Sequence, residues 1–129
     1  MTNLYLTDML IRIKNGYNSK LKVVYCKYNV SCLKVLLLLY NSGYINGYYF
    51  TKTGLVVIKL KYILNFNLFN SLNFFSTPGQ RKYYSVHELY KIFGNKSFVI
   101  VSTTKGLLLH TDAILYNLGG EVLFSLNYL

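Results

Sequence analysis

Ser102, His110 and Asp112 bring a hydroxyl, an imidazole and a carboxylate close together in the sequence, the letters of a nucleophilic relay. Asp112 is better placed elsewhere. Thr111 reads as a helix N-cap with Asp112 in the first turn, where a carboxylate is favoured, and no second acidic residue lies near. A different chemistry suits the same region. Phe98, Val99, Ile100 and Val101 are an apolar, mostly β-branched run that reads as a buried strand. It gives way to Ser102, Thr103, Thr104, Lys105 and Gly106. Hydroxyls donate and accept hydrogen bonds, lysine adds a point charge, and glycine lets the backbone approach a ligand closely. Such a loop at a strand's end suits a polar, anionic surface; an ordinary solvated strand–turn is the plainer reading of the same residues.

Two further groups of cations fit that surface. Thr77-Pro78-Gly79 suits a type II turn that delivers Gln80, Arg81, Lys82, Tyr83 and Tyr84, cations that pin phosphates beside rings that stack. Arg12 and Lys14 sit near the end of an opening helix and, with Asn15 and Lys20, form a basic edge. Either group also reads as solvated surface. His87 reads as a partly exposed surface residue.

Composition points the same way. Fourteen Lys and Arg against four Asp and Glu give a formal charge of +10, which normally implies a polyanionic partner, nucleic acid or an anionic membrane. Four carboxylates leave little room for acid–base or metal chemistry, and there is no Gly-rich phosphate loop or metal-ligand cluster, so no cofactor, metal or catalytic residue is expected. Cys26 and Cys32 fit neither a zinc knuckle nor a redox pair and read as structural thiols in a reducing compartment. Met1 to Leu10 contain no basic residue, against a cleavable presequence, and no apolar run approaches the ~20 residues of a membrane span. The cations cluster at helix ends and turns rather than along one helical stripe, which favours nucleic acid over a membrane surface. The excess of Tyr, Phe, Asn, Ile, Leu and Lys follows AT-rich codons and suggests an organellar genome.

These residues must be positioned by the elements around them. Leu6, Met9, Leu10 and Ile13 predict a helix stopped at Asn15-Gly16, and Lys20–Lys27 a strand. A helix from Asn29 or Ser31 to Asn41, apolar nearly all round, should be buried on more than one side. Tyr44–Phe50 and Leu55–Tyr62 form a hairpin. Residues 63–75 give a further strand or short amphipathic segment. Ser85 caps a helix through Leu89, Leu107–Leu109 is a strand, a helix follows Thr111 to Leu118, and Val122–Leu126 closes the chain. The fold class is α+β: two small α/β domains sharing an interface, 1–75 with the order α-β-α-β-β and 76–129 β-rich with short helices.

STPGQRKYYSVHEL and FVIVSTTKGLLLHTDAILYNLGGEVLFSL, with TDMLIRIKNGY and the helix ending in SGYI, resemble the universal family of protein eight of the small ribosomal subunit. The resemblance implies a two-domain structural protein, not an enzyme, that binds the central domain of small-subunit ribosomal RNA early in assembly. It implies RNA contact by Ser102, Thr103, Thr104, Lys105 and Gly106, with Gly120 and Glu121 close by. It implies a second RNA-facing edge formed by Thr7, Asp8, Arg12, Lys14 and Asn15. Thr104 stands where many relatives have serine, and Thr77 replaces the usual arginine before the proline. The apolar 64–75 region suggests burial against neighbouring small-subunit ribosomal proteins. Neither a small-molecule substrate nor membrane insertion is implied. With the codon bias, this looks like a mitochondrially encoded protein of a mitochondrial ribosome in the matrix.

Overall fold

The computed structural model describes residues 4–62, 69, 71–76, 80–94 and 98–126. The Thr77-Pro78-Gly79 turn and most of the 63–70 stretch lie outside the described residues. The chain forms two compact units, Asn3–Asn70 and a second made chiefly of Ser71–Leu129, and both are α+β.

The first unit runs α1 (Leu4–Asn18), β1 (Val23–Cys26), α2 (Val30–Asn41), β2 (Ile45–Phe50), β3 (Val56–Leu60), with the antiparallel sheet ordered β1-β3-β2. Helix α1 buries Leu6, Met9, Leu10 and Ile13, as their spacing requires. It does not stop at Asn15-Gly16, however, but continues to Asn18. Gly16 is buried there, and a Cβ on it would stand 2.5 Å from Val24 Cγ2, so its bareness lets helix and sheet approach. Arg12 and Lys14 therefore lie inside the helix, and the last turn carries no basic residue. Helix α2 starts where expected, Asn29 capping the Cys32 amide at 3.1 Å. It buries one face only, through Cys32, Val35, Leu36 and Leu39, while Leu37 and Tyr40 are exposed. Cys26 and Cys32 are buried and unbridged; burial raises both thiol pKa values, that of Cys26 to about 11, which keeps them protonated and inert.

Tyr17 ties the unit together. Its hydroxyl donates to the Tyr44 carbonyl at 2.7 Å and accepts from the Lys61 amide at 3.0 Å. Its ring stacks on Phe69 at 5.7 Å and meets Tyr62 edge-on at 5.2 Å. Phe69 is fully buried, so at that position the apolar excess of the 64–75 stretch fills the chain's own core.

The second unit contains β4 (Asn73–Phe74), β5 (Tyr83–Tyr84), α3 (Val86–Phe93), β6 (Phe98–Thr103), β7 (Gly106–Leu109), α4 (His110–Leu115) and β8 (Gly120–Leu126). Strand β8 is the hub: β6 pairs along one edge, and β4 and β5 lie end to end on the other, while β7 extends the sheet beyond β6. Val99, Val101 and Val122 pack with Leu89 and Phe93 of α3 and Ala113 of α4, with Phe75 and Tyr84 closing edge-on against Phe93. Leu123 is an extra residue in the β6–β8 ladder, since Ile100 pairs Phe124 but Val101 pairs Val122.

Local chemistry explains the departures from the expected boundaries. Helix α3 extends past Leu89 because Phe93 is an anchor, and Ser85 and Glu88 close a full capping box. Thr111 is not the N-cap of α4: the helix begins at His110, capped by Leu109 without a side-chain bond, though Asp112 does occupy the first turn. The helix ends before Leu118, because Asn117 takes a left-handed φ of 58° and the Leu118 amide reaches back to the Ala113 carbonyl.

His110 is almost fully buried, and among the described residues neither ring nitrogen has a hydrogen-bond partner. Burial lowers its pKa, with Asp112 opposing. The unfolded chain therefore takes up the proton first as pH falls, and stability drops from about pH 6.5 until the folded value is passed. His110→Leu should flatten this: between about pH 7.5 and 5.5 its urea midpoint should change less than that of the wild type, and equal slopes would place the acid sensitivity elsewhere.

Candidate nucleic-acid interface

Three strands bring the predicted residues into one row. Glu121 of β8 lies directly opposite Tyr83 of β5 on one side and Ser102 of β6 on the other, and Ser102 in turn faces Leu107 of β7. Directly paired residues share a face of the sheet, so phenol, carboxylate and hydroxyl stand side by side. Tyr83 is two-thirds exposed, Ser102 half-buried, and Glu121 only 6% exposed. Gly120 makes this spacing possible: a Cβ there would fall 2.2 Å from the Ser102 carbonyl oxygen.

The row ends at the β6–β7 turn. The Thr103 hydroxyl donates to the Gly106 carbonyl at 2.9 Å and accepts from the Lys105 amide at 3.2 Å. Gly106 has a φ of 105°, a conformation that L side chains rarely adopt. Thr103 and Gly106 thus shape the turn, and Thr104 and Lys105 are presented on it, both exposed. Lys105 Nζ sits 6.0 Å from the ring centroid of exposed Tyr116, a residue that no sequence signal singled out. Arg81 and Lys82 are exposed beside Tyr83, and the Lys82 backbone is held by Ser76 Oγ, which accepts from its amide, and by the Val122 amide, which donates to its carbonyl.

The other predicted edge lies in the first unit. Asp8 and Arg12 are exposed and paired, Arg12 Nε donating to Asp8 Oδ2 at 2.8 Å, an i,i+4 contact worth well under ~1 kcal/mol at a surface. They line an open cleft of about 540 Å³ between α1 and β1, with Tyr5, Tyr25 and Lys27. Arg12, Asn15 and Tyr25 line a second cleft alongside, of about 360 Å³. Thr7 and Lys14 are half-buried and line neither. Among the described residues no group of side chains could hold a metal ion, and no helix is long and apolar enough to cross a membrane.

This geometry can be set beside known proteins. A family model described as ribosomal protein S8 matches residues 5–126. The chain is 35% identical over 124 residues to small ribosomal subunit protein uS8m of Acanthamoeba castellanii, covering 95% of this chain and 98% of that one. It is 33% identical to uS8 of Neorickettsia sennetsu, over 97% of this chain and 98% of that protein. It is 37% identical to uS8 of Pseudomonas fluorescens, over 92% of each.

The chain belongs to the ribosomal protein S8 family. Proteins of the S8 family are structural, so this S8 chain is a structural protein of the small ribosomal subunit and not an enzyme.

The row itself depends on Gly120. Gly120→Ala should push β8 off β6 and destabilise the fold by at least ~2 kcal/mol, read as a lower urea midpoint. A midpoint unchanged within ~0.5 kcal/mol would show that the strands tolerate a side chain there.

Proposed function

We propose that this S8 chain binds the central domain of small-subunit ribosomal RNA in a mitochondrial ribosome, helps that domain to assemble, and is flanked there by other small-subunit proteins. The observation that carries the reading is the row Tyr83–Glu121–Ser102 running into the turn that presents Thr104 and Lys105. Ser102 and Thr104 supply hydroxyls that bond to 2′-hydroxyls and base edges exposed in an RNA minor groove. Lys105, Arg81 and Lys82 supply affinity by releasing counterions from phosphates. Glu121 accepts from base amino groups or sugar hydroxyls but repels phosphate, so it reads rather than anchors. Tyr83 and Tyr116 offer faces on which bases or sugars stack. The Asp8–Arg12–Asn15 edge of α1 is a second contact. The mitochondrial setting is supported by the likeness to the uS8m of Acanthamoeba castellanii and by the AT-rich residue bias.

The test is binding to an RNA helix with an irregular internal loop, compared with a plain duplex across a salt series. Lys105→Ala should weaken binding to both and reduce the salt slope by about 1. Ser102→Ala should cost the internal-loop RNA up to about tenfold in affinity and the plain duplex little. An unchanged slope in the first variant, or equal losses on both RNAs in the second, would count against the site. Preferential capture of anionic vesicles over RNA at moderate salt would overturn the reading altogether.

A further inference from the structure

Most of the positive charge lies away from the hydroxyl turn. Residues 3–70 hold nine of the lysines and arginines but a single carboxylate, Asp8, which is already paired with Arg12; the rest of the chain holds five cations against three carboxylates. No acidic residue occurs between Asp8 and Glu88. The unit without the hydroxyl turn thus carries most of the attraction for a polyanion.

One face of its sheet has the means to use that attraction. Helix α1 packs on the face bearing Val24 and Leu60, as the close approach of Gly16 to both shows. The opposite face carries Tyr25, Val57 and Tyr49 in one row, since Val57 pairs Tyr25 on β1 and Tyr49 on β2. Val57 is buried, whereas Tyr25 is 51% and Tyr49 47% exposed. Lys59, next but one along β3, is on the same face and exposed, its Nζ 5.4 Å from the Tyr49 ring centroid. Lys22, Lys27 and Lys52 are exposed just beyond the strand ends. Tyr25 also borders both clefts that Arg12 lines.

We infer that this outer sheet face is a stacking platform for unpaired RNA nucleotides, with Tyr25 and Tyr49 beneath successive bases and Lys59 against the backbone. Strands are ~4.8 Å apart, so rings on β1 and β2 are separated by about two strand spacings, within reach of neighbouring unstacked bases. Stacking on aromatics is tolerant of sequence, and surrounding lysines hold the phosphates. The flexible stem of Lys59 lets its ammonium leave the ring for a phosphate as a base arrives. A protein neighbour would need acidic side chains to meet this lysine rim; RNA brings a charge with every nucleotide. The inference rests on the chain being an RNA-binding protein but uses none of the residues of the hydroxyl turn.

The experiment uses the full chain and two RNAs: an unstructured single strand of about eight nucleotides and the helix with an internal loop. Tyr25→Ala and Tyr49→Ala should each weaken the single strand roughly five- to hundredfold with its salt slope unchanged, and both Tyr→Phe variants should stay within about twofold of wild type. Lys59→Gln should reduce the single-strand slope by about 0.7. Tyr25→Leu and Tyr49→Leu, which keep apolar cover without a π face, should lose affinity as the alanine variants do, with circular dichroism confirming that they are folded. Leucine variants that bind like wild type would overturn the platform. So would a wild-type chain that binds the internal-loop helix but not the single strand, a result that leaves the hydroxyl turn standing. Loss of internal-loop binding in Lys105→Ala and Ser102→Ala, with the single strand unaffected, would show the two sites to be independent. Tyrosine variants that bind RNA normally yet fail to enter reconstituted small-subunit particles would assign the face to a protein neighbour and also overturn the inference.

Discussion

A backbone oxygen fills the space where a side chain on Gly120 would begin. The 2.2 Å from that missing Cβ to the Ser102 carbonyl is shorter than any real contact, and so β6 and β8 can lie this close only through a glycine. Everything in the second unit's proposed interface follows from that pairing. It sets Glu121 against Ser102, leaves the far edge of β8 open for Tyr83, and aligns the three with the turn that Thr103 and Gly106 shape. The valines beside this row, Val101 and Val122, turn to the opposite face and pack on α3 and α4. Apolar burial there stabilises by roughly 1.5–3 kcal/mol per large side chain and holds the polar face rigid at no expense to its chemistry.

The first unit solves its own positioning problem with a tyrosine. The Tyr17 hydroxyl has one donor and one acceptor role, and both are taken by backbone groups far away in sequence, Tyr44 and Lys61. Burial pushes its pKa to about 12, so it remains a neutral donor throughout the physiological range. Tyr62 repeats the device in miniature, its hydroxyl donating to the Leu21 carbonyl. These clamps fasten the ends of α1, β1 and β3, and thereby fix the edge on which Arg12 and Asn15 meet Tyr25.

Local signals were readable where local chemistry decides. Ser102 to Gly106 announced a strand end and tight turn because a glycine at positive φ and a hydroxyl that bonds its own backbone act within a few residues. Ser85 announced a cap for the same reason, and Asn29, one of the two starts the sequence offered for α2, proves to be its cap. Legibility failed where packing overruled a local cue. Asn15-Gly16 looks like a helix stop, yet Gly16 is where a strand presses on the helix, and the stop signal was a packing signal. Thr111 has cap chemistry, but the buried His110 starts the helix two residues early, with Leu109 as its N-cap. Tyr25, Tyr49 and Tyr116 were invisible because a tyrosine gains meaning only from neighbours that strand pairing or a turn supplies. The juxtaposition of Tyr83, Glu121 and Ser102 needs two long-range registers: family likeness put Glu121 near Ser102, and nothing in the sequence put Tyr83 beside them.

One of those registers contains a displaced tooth. Strand β8 shows Glu121 and Phe124, an odd and an even position, to the same side of the sheet, because Leu123 bulges out of the ladder and gives its carbonyl to Phe75. A single strand thereby switches from a greasy half to a polar half without changing sides. Removing one residue from this stretch would turn either Phe124 and Leu126 or Glu121 to the wrong surface. Chain length is therefore fixed here more tightly than side-chain identity, and a frame of one amino acid separates a reading surface from a misassembled core.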